Sequence, residues 1–263
     1  MKRSLGGTVI AGAVCLASSI ATGTPLPNPP FMTGGFVPPD SDVYKQEVAV
    51  GKLLTKYALS KTKCDQKAVI ALQLAYEPPG APKVPDVQAD WTECQGKVLL
   101  KYQVARDKLL LKGTPACLDQ AGIDAIKGQL DTQIGLLGVV VYCDADAAAP
   151  DPVTGLNIPD FKNEASGEVA AAKVLTKTGR YGGKCYSLAL KYAFKLGGTI
   201  PPDILAKVDA CFTKASDKGL EGMLKLDQTQ KLPSCLSLGT ANALVGATVD
   251  LSGQFNDETY CAQ

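Results

Sequence analysis

The chain has 263 residues, of which 46% are hydrophobic and 20% charged, so it should fold as one large domain or two of ordinary size. Aromatics make up 6% with a single Trp, which argues against a sugar- or base-stacking face, and 27 Lys+Arg against 26 Asp+Glu leave no net field to draw nucleic acid or anionic lipid. The chain has no His, which removes Ser-His and Cys-His nucleophiles, His-ligated zinc and haem, and imidazole pH switching.

Lys2 and Arg3 precede a run of apolar and small residues from Leu5 to Ile20, too short and Gly-rich for a comfortable membrane span. Residues 1–23 read as a signal peptide cut after Ala21 or Gly23, with no transmembrane span left in the mature chain. Removing Lys2 and Arg3 leaves 25 basic residues against 26 acidic ones, a net charge of −1. Cys15 follows Gly12-Ala13-Val14, a poor lipobox because Val stands where Gly, Ala or Ser is wanted. Residues 24–39 hold six prolines and no charge, the composition of an extended tether.

Beyond Cys15 lie eight cysteines, Cys64, Cys94, Cys117, Cys143, Cys185, Cys211, Cys235 and Cys261, at spacings of 30, 23, 26, 42, 26, 24 and 26. None is the two-residue gap of a zinc knuckle, a redox pair or a haem site, and an even count behind a signal reads as a structural disulfide framework. The spacing suggests a duplication. Glu47-Val48-Ala49, Lys52, Leu54-Thr55-Lys56 and Lys63-Cys64 recur 121 residues later as Glu168-Val169-Ala170, Lys173, Leu175-Thr176-Lys177 and Lys184-Cys185. With small indels, Cys94 and Lys97 recur as Cys211 and Lys214, and Tyr142-Cys143 as Tyr260-Cys261. The expected organisation is therefore two tandem all-α, disulfide-stapled bundles, 40–146 and 161–263, joined by a Pro/Ala-rich linker at 147–160.

Each unit reads as three helical segments. In the first, Asp40 or Ser41 caps a long helix whose apolar stripe is Val43, Val50, Leu54, Tyr57, Cys64, Ala68 and Ala71. Pro78-Pro79-Gly80 ends that helix. Asp86 caps a second helix that runs to Gly113, and Pro115 opens a third segment. There Ile123, Ile126, Leu130, Ile134 and Leu137 fall at helical spacing, while Val139-Val140-Val141 is expected to leave the helix and run extended. In the second unit Gly179 and Gly182-Gly183 are expected to kink or break the first helix, and 197–202 forms its hairpin turn. The midpoints of Cys64/Cys94 and of Cys185/Cys211 fall at Pro79 and Gly198, inside the two turns. Antiparallel helices packed about 8–10 Å apart then place each pair at equal height. This favours Cys64–Cys94 and Cys185–Cys211, leaving Cys117–Cys143 and Cys235–Cys261. The rival is Cys64–Cys117 with Cys94–Cys143.

Lys184-Cys185, 205–211 (LAKVDAC), Lys214-Ala215 and 235–241 (CLSLGTA), with Cys94-Gln95-Gly96-Lys97 and Cys117-Leu118-Asp119, resemble a four-cysteine, Lys/Ala-rich helical repeat of secreted proteins from environmental, myxobacteria-like lineages. The resemblance covers most of the mature chain and implies the same fold and export. It carries no assigned activity and no functional residues. The chain departs from such repeats in having fewer Lys, and Gly239-Thr240 where Gly-Asp is usual.

No catalytic, cofactor or metal residue stands out. Ser60-Lys61-Thr62-Lys63 and Lys177-Thr178-Gly179 match fragments of the penicillin-interacting pattern, but no Ser-Asp-Asn lies between them, and both sit in helical segments. Asp144, Asp146 and Asp151 lack the spacing of a calcium loop. The acid pairs Asp86/Asp90 and Asp257/Glu258 read as solvated helix faces, and so do the recurring lysines 52, 56, 63, 97, 173, 177, 184 and 214. The expectation is a non-enzymatic structural or adhesive module, secreted, periplasmic or at the cell surface, acting on an unknown protein or cell-surface partner. The alternative is a carrier of an apolar ligand, lipid or sterol, which predicts an apolar cavity of several hundred Å³ inside a unit; a filled interior with an exposed apolar patch between units would favour the structural or adhesive reading.

Overall fold

A computed structural model describes residues 38, 40–75, 84–115, 118–142, 162–197 and 201–254. The signal, the linker, Pro78-Pro79-Gly80, Asp144, Asp146, Asp151, Asp257, Glu258, Cys117, Cys143 and Cys261 lie outside them, as does all of the tether except Pro38. Among the described residues the regular structure is helical: α1 Ser41–Ala75, α2 Val84–Leu110, α3 Gln120–Val141, α4 Lys162–Lys195, α5 Pro202–Gln228 and α6 Leu238–Gln254. No helix among them is long and apolar enough to cross a membrane.

The helix starts follow local chemistry. The Asp40 Oδ1 accepts the amides of Asp42 (2.8 Å) and Val43 (2.9 Å), which caps α1. The Asp119 side chain accepts the Gly122 amide (2.7 Å) and caps α3. The Ser237 Oγ takes the Thr240 amide (3.0 Å) at the start of α6. Helix α2 starts earlier than expected, at Val84, so Asp86 sits in its first turn, where its charge complements the helix dipole.

Two expected breaks do not occur. Helix α3 runs unbroken through Val139–Val141 to its cap at Tyr142, whose N–H meets the Gly138 carbonyl. The helical penalty of a β-branched residue is a few tenths of a kcal/mol, and burying Val141 and Tyr142 in the core outweighs it. Helix α4 likewise runs unbroken through Gly179 and Gly182-Gly183. The buried Ala172 and Leu175 on one side of these glycines and Cys185, Tyr186, Ala189 and Leu190 on the other hold one helix in register across them.

Each hairpin is stapled. Cys64–Cys94 joins α1 to α2 with Cα atoms 5.8 Å apart, and Cys185–Cys211 joins α4 to α5 at 5.6 Å, which excludes the rival pairing Cys64–Cys117. Cys235 is also disulfide-bonded. Beside the first bridge, the Asp65 carboxylate accepts from Trp91 Nε1 (2.9 Å) and Gln95 Nε2 (2.8 Å), both on α2.

The long first helices of the two halves pack antiparallel on each other. Tyr44 stacks on Phe194 with ring centroids 4.8 Å apart, Thr55 meets Gly183, and Gln66 meets Thr176, so α4 retreats as α1 advances. The largest apolar cluster is shared across that seam. It joins Ala68, Val69 and Leu72 of α1, Val87 of α2 and Val141 of α3 to Val169, Leu175, Met223 and Val245 of α4, α5 and α6. Two smaller clusters lie around Val50, Tyr102 and Ile123 in the first half and around Tyr186, Leu190 and Phe212 in the second.

Helix α5 approaches its neighbours through Gly219. A Cβ there would lie 2.6 Å from Thr178 Oγ1 and 2.6 Å from Val245 Cγ1, both on stiff β-branched side chains. Gly96 on α2 is exposed, and a Cβ there would meet nothing within 4 Å. Ala gains about 1 kcal/mol of helix propensity over Gly at either place. At Gly219 overpacking of roughly 1–3 kcal/mol opposes it. Gly96→Ala should therefore raise the urea midpoint and Gly219→Ala should lower it; equal shifts would show that α5 has room to move.

Candidate functional site

Where α1 and α4 cross, the four helices α1, α3, α4 and α6 enclose a cleft of about 580 Å³. One wall is the stripe Ile126, Leu130, Ile134, Leu137 and Val141 along α3, spaced at three and four residues so that a single face points inward. Leu54, Ala58 and Leu59 of α1, Ala172 and Leu175 of α4 and Thr248 and Leu251 of α6 also line the cleft. Tyr142 is the one aromatic residue among the described residues lining it.

The α3 wall is positioned by two polar networks. The Asp131 carboxylate accepts from Tyr57 Oη (2.9 Å) and Lys61 Nζ (2.6 Å) of α1, and pairs with Lys127 one turn away (2.7 Å). Burial works to raise its pKa, but the hydrogen bonds from Lys127, Lys61 and Tyr57 prevail and hold it below the usual carboxylate range. Asp124 likewise accepts from Tyr102 Oη (2.9 Å) and pairs with Arg106, so α2 grips α3 as well. On the far side, Glu164 of α4 accepts the amide (2.6 Å) and hydroxyl (2.8 Å) of Ser234, fixing the segment that leads into α6.

The polar groups of the cleft fall into two sets. Asp65 lies inside, already engaged by Trp91 and Gln95. Its pKa is raised because burial outweighs the hydrogen bonds from Trp91 and Gln95 and the attraction of Lys61. At the rim stand Lys52, Lys56, Arg180 and Lys184, all exposed. The eight recurring lysines are all exposed, as expected of a solvated face, but Lys52, Lys56 and Lys184 also reach this cleft.

The other sequence candidates are not brought together. The Ser60 hydroxyl donates back to the Lys56 carbonyl (2.8 Å), Lys61 pairs with Asp131, and Thr178 is buried under Gly219, donating to the Val174 carbonyl (3.1 Å). Asp86 and Asp90 are exposed on α2. Among the described residues no group of three His, Cys, Asp or Glu is placed to hold a metal ion. Sequence reading found the stripe that forms the wall and missed the cleft, because periodicity names an apolar face without saying what stands opposite. It also passed over Glu47 and Glu168, which recur at the 121-residue offset and are both fully buried. Glutamate in an otherwise apolar helical stripe was the available signal. No family model, curated protein or solved structure matches the chain.

Proposed function

We propose that the protein is an exported, non-catalytic carrier that holds a lipid-like aliphatic ligand in the cleft between its two halves. The carrying observation is the cleft itself. Its volume is within the range of about 300–1,000 Å³ common to small-molecule sites, and its walls are branched aliphatic side chains with a few polar groups. It lies between the halves rather than inside one, so the linkage of the two four-cysteine units would itself create the site. Among the described lining residues Tyr142 is the one ring, which suits a flexible chain better than a planar guest. Disulfides in both hairpins favour an oxidising compartment, in keeping with the signal-like N-terminus.

Organic extraction of the native protein followed by mass spectrometry should recover a stoichiometric lipid. Leu130→Trp, which fills the cleft from the α3 wall, should weaken uptake of an apolar fluorophore such as N-phenylnaphthylamine by about tenfold or more. Absence of both extracted lipid and fluorophore binding would remove the carrier reading. The structural or adhesive reading then has its own support: Leu100 (61% exposed) and Val104 (47%) on α2 and Leu111 (88%) in the turn after it leave apolar side chains open to solvent.

A further inference from the structure

We infer that the guest of this cleft is a single-chain amphiphile with an anionic head group, its tail against the α3 stripe and its head among Lys52, Lys56, Arg180 and Lys184. The inference rests on the carrier reading and adds the head-group chemistry to it.

The chain as a whole is almost neutral, with 27 basic and 26 acidic residues, so an even scatter would give the cleft equal numbers of each. Among the described residues its lining instead holds four cations and one carboxylate. That carboxylate, Asp65, is drawn inward and occupied by Trp91 and Gln95. Lys45 pairs with Asp42, and Lys61 and Lys127 with Asp131; Lys63 and Lys67 of α1 and Lys173, Lys177, Lys191 and Lys195 of α4 make no ion pair among the described residues, so what sets Lys52, Lys56, Arg180 and Lys184 apart is that they line the cleft. Among the described residues, Lys52, Lys56, Arg180 and Lys184 make no ion pair; Lys184 lies over the Tyr181 ring at 5.4 Å, which leaves its charge uncompensated.

The placement is directional. Lys52 and Lys56 are one turn apart on α1, and Arg180 and Lys184 one turn apart on α4, the two helices that cross beneath the cleft. The cations thus come from both halves. All four are exposed, whereas the apolar groups Leu54, Leu175, Ile126 and Ile134 are buried. An amphiphile matches that division with its tail dry and its head in water. Arg180 supplies a planar fork suited to a carboxylate or phosphate, and the lysines supply mobile point charges.

The test compares palmitate, hexadecyl phosphate and hexadecanol, which share one chain and differ in the head, on the delipidated full-length oxidised protein. At low ionic strength one or both anions should bind at least about tenfold more tightly than the alcohol, and added salt should narrow the gap. Which anion leads separates a carboxylate head from a phosphate head. Arg180→Glu with Lys184→Glu should remove the preference by weakening the two anions at least about tenfold more than hexadecanol; Arg180→Gln with Lys184→Gln should give an intermediate loss. These side chains are exposed, so the helical content of the variants should match the wild type. Equal binding of the three probes would overturn the anionic head group and leave the carrier reading intact. Binding of none would overturn both.

Discussion

Replacing Cys64 and Cys94 together by alanine should lower the unfolding free energy by about 3–4 kcal/mol, and the same exchange at Cys185 and Cys211 should cost about as much. The bridges close segments of 30 and 26 residues, and on the chain-entropy account most of the effect comes from the freedom restored to the unfolded chain. The two losses lie in different hairpins, so they should add to about 7 kcal/mol, a large part of the 5–15 kcal/mol typical of whole domains. Helical content in the absence of denaturant should separate the two. The first hairpin keeps the Asp65 bonds to Trp91 and Gln95 as a second tie, and its variant should remain fully helical. The second relies on apolar packing beside the bridge, with Tyr186 edge-on to Phe212 at 4.6 Å, and its variant should fray at the α4–α5 turn first. Urea unfolding with amide exchange reads both effects. A midpoint unchanged in the first variant would mean that the bridge adds nothing to a hairpin already held by its packing.

Stability should also fall as pH rises from about 4.5 to about 8, and Glu47→Gln should abolish most of that fall. Glu47 is fully buried, and neither carboxylate oxygen has a hydrogen-bond partner among the described residues. Burial pushes its pKa up from 4.5 to about 8. The folded state therefore keeps a proton that the unfolded state has released, and the slope of unfolding free energy with pH is negative throughout that window. Below it both states are protonated and nothing is lost. Above it the full cost of a buried charge applies, roughly 5 kcal/mol at about 1.4 kcal/mol per pH unit. Asp124 and Asp131, whose pKa values are lowered, act oppositely and only in more acidic solution. Denaturant unfolding from pH 5 to 9 separates these contributions. A wild-type curve parallel to that of Glu47→Gln would show that the folded state ionises Glu47 at no cost.

The parts legible in the sequence were those set by local spacing. Equal height across a turn identified Cys64–Cys94 and Cys185–Cys211, and Asp40 marked the start of α1. The stripe from Ile123 to Leu137 marked the inward face of α3. What failed was local propensity judged without its neighbours. The valines at 139–141 and the glycines at 182–183 are weak helix formers, but each costs at most about 1 kcal/mol, less than the burial of the residues beside them returns. Two features were illegible for a different reason. The shared core depends on Ala68, Val69 and Leu72 meeting Val169 and Leu175, and amphipathic periodicity says nothing about which other helix covers a stripe. The cleft is a property of space between helices. No single segment records that Lys52 of α1 and Arg180 of α4 open onto the same volume.

The shared core also sets an order of events for a chain made from its N-terminus. When α1, α2 and α3 have emerged, the cluster around Tyr102 and Ile123 can close, but the Ala68–Leu72 end of α1 has only Val87 of α2 and Val141 of α3 in its cluster until Val169 and Leu175 of α4 follow. The seam belongs to the slow, long-range class of contacts. Through that interval the half-made protein carries a half-covered apolar end that its own later segment completes, and that end is open to chaperones until synthesis has passed α4.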